Sequence, residues 1–142
     1  MRKIFSALLL ATLVTFPVMI TIPVLSQVRQ QRVQFQSGKS GTTLQGKIKG
    51  EQTVHYLIRA NAGQTLSVGL NSDNGGNSFN IFAPGKVPGK DAALVIGENN
   101  DNAYEGKLPA TGDYLIQVFL VRNAARRNEV ANYRLQINIT GN

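Results

Sequence analysis

The sequence contains no cysteine and only one histidine, and these two shortages remove much of the usual chemistry. Without thiols there is no disulfide framework, no thiolate nucleophile and no lipoprotein acylation site. One histidine without a thiol leaves zinc short of its preferred ligands. His55 sits out of phase with Val54 and Tyr56 and reads as an exposed sheet histidine, although the residue type also suits a general base or a metal ligand. No GxSxG, HExxH or P-loop pattern is present. Acidic residues are scarce, 8 against 15 Lys and Arg. No segment after residue 26 keeps a helical apolar period over three turns.

Met1-Arg2-Lys3 is a short basic start, and Ile4 to Leu25 is almost wholly apolar. Val24-Leu25-Ser26 offers small residues for cleavage after Ser26, the three-part pattern of a secretory signal peptide. The run is also long enough for an uncleaved membrane anchor. Pro17 and Pro23 disfavour that helix. Residues 1–26 are therefore read as a signal peptide, 27–32 as a polar flexible leader and 33–142 as one domain. An exported chain without disulfides suits a bacterial periplasm, with secretion as the alternative. Loss of Arg2 and Lys3 leaves a net charge of about +5, a surplus that favours acidic partners at short range.

The domain alternates with a period of two. Strands are expected near Val33–Gln36, Thr42–Lys49, Thr53–Arg59, Leu66–Leu70, Phe79–Ala83, Leu94–Ile96, Tyr114–Leu120 and Tyr133–Thr140. Gly-, Asn- and Pro-rich turns separate them. In the last two strands, Tyr114, Ile116, Val118 and Leu120, then Tyr133, Leu135, Ile137 and Ile139, define one apolar face each. About eight short strands imply an all-β antiparallel sandwich, jelly-roll-like in form.

Two oxygen-rich loops have the composition of calcium sites. One holds Glu98, Asp101 and Glu105 among asparagines; the other holds Asp73 and Asn74. The required EF-hand order is missing, and a solvated polar turn explains each. No metal or cofactor is assigned. The remaining outlier is Val121 to Asn128, which joins the two clearest strands. Arg122, Arg126 and Arg127 at a hairpin tip are not core residues. If the tip takes one helical turn, Arg122 and Arg126 are i and i+4 on one face. Two guanidinium forks side by side suit bidentate capture of carboxylates or phosphates. Ala124 and Ala125 would keep the tip slim enough to enter a cleft. The alternative is a charged cap against edge-to-edge aggregation.

Several stretches carry a family resemblance. They are Gly46-Lys47-Ile48-Lys49-Gly50, Tyr56 with Ala60-Asn61-Ala62-Gly63-Gln64, and Phe82-Ala83-Pro84-Gly85. Leu108-Pro109-Ala110-Thr111-Gly112-Asp113-Tyr114 and the Arg-Asn-x-Ala-Arg-x-Asn tip at Arg122–Asn128 complete the set. From Val33 to Ile139 the chain resembles the periplasmic inhibitors of goose-type (g-type) lysozyme. They lie within a broader class that looks like bacterial pre-peptidase C-terminal domains. The resemblance implies a non-enzymatic protein whose arginine hairpin enters the lysozyme cleft and meets its catalytic carboxylate. Arg122, Asn123, Arg126 and Arg127 would form that loop. Secondary contacts are expected from Glu51, where the family carries an aromatic residue, and from Tyr56, which matches a family tyrosine but by strand phase also fits the core. A second reading is a pre-peptidase-type module that binds glycan or cell wall, with calcium in its Asn/Asp loops.

Overall fold

In the computed structural model, the described residues are 14, 16–20 and 27–141. The expected signal peptide lies largely outside them. Among the described residues, nine strands form two sheets. They are β1 (Val28–Arg32), β2 (Gly41–Lys49), β3 (Thr53–Ala60), β4 (Thr65–Ser72), β5 (Asn77–Phe82), β6 (Val95–Ile96), β7 (Ala103–Lys107), β8 (Gly112–Leu120) and β9 (Val130–Thr140). A five-stranded sheet runs β1-β3-β8-β5-β6 and a four-stranded sheet runs β2-β9-β4-β7. One short helix, α1 (Arg122–Arg126), lies between β8 and β9.

The period-two pattern explains the sandwich. On β8 and β9 the positions alternate strictly between buried and less buried, and Tyr114, Ile116, Leu135 and Ile137 are completely enclosed. Val54, Tyr56 and Ile58 supply the same face of β3. These inner faces meet Leu66 and Val68 of β4 and Phe79 and Ile81 of β5 in one core. Tyr114 also explains the Leu108–Tyr114 motif. Its buried hydroxyl donates to the Ala110 carbonyl at 2.7 Å and accepts the Ala110 N–H at 3.1 Å, which ties the incoming turn to the start of β8.

Two expectations fail at the N-terminal edge. The leader 27–32 is not free: Val28–Arg32 pairs with β3, and in parallel orientation. All five residues of β1 are exposed, so alternation carried no sign of it. Arg32 adds a two-pronged bridge to Asp113, at 2.8 and 3.1 Å. Val33–Gln36, read as a strand, has no strand partner. Val33 instead ends the β1 ladder through its N–H to the Leu57 carbonyl, 2.8 Å, and buries its side chain.

Tyr56 also requires correction as a surface contact. It is 2% exposed, and its hydroxyl lies 2.7 Å from that of Tyr133, so the residue joins the two sheets inside the core. Burial, with the Tyr56 hydrogen bond, pushes the Tyr133 phenol above its ordinary range. The two hydroxyls satisfy each other. Tyr133→Phe should cost about 1–3 kcal/mol, because it strands the Tyr56 hydroxyl; Tyr56→Phe should cost less, because Arg29 also reaches the Tyr133 hydroxyl; and Tyr56→Phe/Tyr133→Phe should be nearly neutral. Denaturant unfolding of the three variants checks this double-mutant cycle.

Candidate functional site: the docked arginine helix

The hairpin tip is one helical turn with defined ends. Val121 precedes it in extended backbone and accepts the Ala125 N–H at 2.9 Å. Asn128 stops it at φ 57°, a left-handed conformation that asparagine tolerates better than most residues. The Asn128 N–H donates to the Ala125 carbonyl at 2.9 Å and the Glu129 N–H to the Ala124 carbonyl at 3.1 Å. This pair of bonds is a Schellman stop, with Arg126 and Arg127 near the negative end of the turn.

The tip does not project as a slim finger. Ala124 and Ala125 are buried, and they seat α1 on the end of the sandwich. Gly76 in the β4–β5 loop makes room for it; a Cβ there would stand 2.8 Å from that of Ala124. The Val121 N–H donates to the Gly76 carbonyl at 2.8 Å. Asn74 clamps the same loop, donating to Glu129 at 3.0 Å and to the Val130 carbonyl at 3.1 Å, while its Oδ1 accepts the Gly76 N–H at 2.8 Å. Asp73 accepts both the backbone and the side-chain N–H of Asn132, each at 2.8 Å. The proposed oxygen ligands of this loop are thus spent on anchoring β9. Among the described residues no three His, Asp or Glu side chains are grouped to hold a metal ion, Glu98, Asp101 and Glu105 included.

The β2–β3 turn closes the other side. The Gly50 N–H donates to the Glu129 carbonyl at 2.9 Å. Gly50 has φ +59°, and a Cβ would approach Asn128 Oδ1 to 2.5 Å, so glycine is required by both conformation and space. This contact brings Glu51 beside α1. Glu51, Arg122 and Arg126 line one groove of about 440 Å³, with Thr53, Asn80 and Gln117 on its floor and walls.

The three arginines are not equivalent. Arg127 pairs with Glu129, which Asn74 also holds. Arg122 and Arg126 are exposed, share the groove and make no ion pair among the described residues. Asn123 is exposed beside them. The expected i, i+4 face is therefore present, while Arg127 is turned back onto the protein. The seat is built by Asn74, which the sequence offers only as part of an oxygen-rich loop, and by Gly76 and Glu129, which sequence reasoning misses. The Asn-Gly-Gly run from Asn74 to Gly76 was the available signal. His55 stands farther along the outer sheet face, half-buried, its Nε2 3.3 Å from Gln117 Nε2, and burial lowers its pKa.

Acid should loosen this assembly. The Asn74 and Arg127 hydrogen bonds hold the Glu129 carboxyl below its ordinary value. Asn132 does the same for Asp73, and Arg32 for Asp113. Each group takes up its proton less readily folded than unfolded. Their stabilisation is therefore complete above the ordinary carboxyl range, about pH 4, and lost as pH falls through the folded values. The lowered His55 pKa adds a gentler decline that begins near pH 6.5. Melting temperatures from pH 8 to 2.5 should fall gently and then steeply, and Asp113→Asn should flatten the steep limb.

No family model matches the chain. An inhibitor of g-type lysozyme from Escherichia coli (strain K12) is 32% identical over 107 residues, which span 75% of this chain and 78% of that protein. The crystal structure of a periplasmic inhibitor of g-type lysozyme from Aeromonas hydrophila matches with a TM-score of 0.76 and 38% identity, over 80% of this chain and 98% of its own. The corresponding Salmonella Typhimurium inhibitor matches with a TM-score of 0.59 and 30% identity, over 79% and 98%. Agreement in sequence and fold across most of each relative places the chain in a family: it belongs to the inhibitors of g-type lysozyme.

Proposed function

We propose that this protein is a periplasmic inhibitor of g-type lysozyme, exported by residues 1–26, which presents Arg122 and Arg126 to acidic groups in the enzyme's cleft. The observation that carries this reading is the division of labour on α1. Arg127 is neutralised by Glu129, whereas Arg122 and Arg126 share one exposed face of a helix fixed to the sandwich. The backbone beneath the two guanidinium forks is fixed, so only their side-chain rotamers remain to be ordered when they meet a carboxylate in a bidentate manner. Overall attraction is not needed. At physiological salt the Debye length is about 8 Å, so the local sign of the cleft decides. The relatives are inhibitors, so the activity is binding rather than turnover.

The test is a titration. Lytic activities of goose-, chicken- and invertebrate-type lysozymes are followed as protein 27–142 is added. Selective loss of the goose-type activity is expected. Equal loss of all three, or of none, removes the proposal.

A further inference from the structure

The groove beside α1 continues past the arginines onto the outer face of the five-stranded sheet. There His55, Gln117 and Asn80 stand in register across β3, β8 and β5. Their neighbours Leu57, Leu115 and Phe119 are only half-buried, so this face is neither a packed layer nor a fully solvated one. At the groove itself the hydrogen bonding is incomplete. Asn80 Oδ1 is buried and accepts no hydrogen bond among the described residues. Asn77 Oδ1, at the start of β5, is likewise buried without a donor, but Asn77 does not line the groove, whereas Asp73, Asn74 and Glu129 find partners within the chain. An amide oxygen that has lost water without gaining a donor is costly, and a turn of the amide into the groove would expose it to a donor from outside.

We propose that this groove extends the lysozyme contact beyond the arginine tip, resting on the function proposed above. It receives a segment that places a carboxylate at Arg122 and Arg126 and offers N–H or O–H donors to Asn80 and Gln117. Charge sets this chemistry. The two guanidiniums require an anion at the tip end, while Glu51 on the rim repels a wholly anionic strand and favours donors along the floor. Phe119 and Leu120 supply the apolar wall against which such a segment excludes water. The contact thus reads more of the partner than two charges can, and Asn80 and Gln117 become specificity residues of the inhibitor.

The test fills or silences the groove without touching α1. Gln117→Trp should raise the inhibition constant against a g-type lysozyme about tenfold or more while the protein stays folded, since aromatic residues suit strands. Asn80→Leu should weaken inhibition by roughly fivefold and yet raise the melting temperature, because it removes the partnerless oxygen. A merely structural Asn80 would move both in the same direction. Gln136→Trp, an equivalent change on the exposed face of β9 in the other sheet, should leave inhibition unchanged. Wild-type inhibition by Gln117→Trp and Asn80→Leu, with Arg126→Ala still impaired, overturns the groove and leaves the arginine reading intact. Equal loss in Gln136→Trp overturns it as well. If Gln117→Trp does not fold, Asn80→Leu decides alone. Should Arg126→Ala also inhibit normally, both proposals fall.

Discussion

Arg126→Ala should raise the concentration needed to inhibit a g-type lysozyme by about tenfold or more, which corresponds to about 1.4 kcal/mol of binding energy. The size follows from where Arg126 sits. It ends a helical turn whose two alanines are buried, so its backbone is fixed before the partner arrives. It also makes no ion pair in the free protein among the described residues. Binding therefore breaks no internal bridge to free its guanidinium. Arg122→Ala should act in the same direction, and the two changes should not add simply, because both forks serve one groove. Arg127→Ala is the informative contrast. That side chain is engaged with Glu129, so its loss should cost little inhibition, about twofold, and some local stability. Tight-binding titrations at low and physiological salt distinguish the three. Unchanged inhibition by Arg122→Ala/Arg126→Ala would remove the assignment of roles.

What the sequence disclosed and what it hid follow from how local each signal is. Strands β8 and β9 carry strict alternation of apolar and polar residues, and their faces and core positions are legible directly. Strand β1 is polar after Val28, is exposed throughout and exists only because the edge of β3 offers a ladder, so no local pattern announces it. Strand β7 has one aromatic, Tyr104, followed two residues later by Gly106, too little alternation to mark a strand. Val33 and Phe35 alternate as a strand does, yet they only anchor the segment leaving β1. At the site the logic is the same. The spacing of Arg122 and Arg126 is local, and it read correctly as one face. The seat depends on Asn74, Gly76 and Gly50, which reach α1 from two other loops. That is why the tip reads as a free projection in sequence and is a docked helix in the fold. Arg127 groups with the other arginines in sequence for a related reason: only the Schellman stop at Asn128 brings Glu129 back under it.

If docking matters as much as charge, a change that leaves every arginine in place should still abolish potency. Gly76→Val provides it. The added Cβ would stand 2.8 Å from Ala124 Cβ and 3.2 Å from Val121 Cγ2, so α1 must leave its seat or the β4–β5 loop must shift. Overpacking of this kind typically costs about 1–3 kcal/mol of stability. The larger consequence should be functional. Displacing α1 mispositions Arg122 and Arg126 together and returns to the partner the cost of ordering them, so inhibition should fall about tenfold or more, comparable to Arg126→Ala. The preceding residue gives a matched control. Nothing lies within 4 Å of a Cβ added at Gly75, so Gly75→Val should inhibit almost as the parent does. Amide exchange at Ala125, Asn128 and Glu129, whose N–H groups are bonded within the tip, would confirm the cause, fast in the first variant and protected in the second. Equal potency of the two variants would mean that a mobile arginine tip inhibits as well as a docked one. The site would then rest on charge alone.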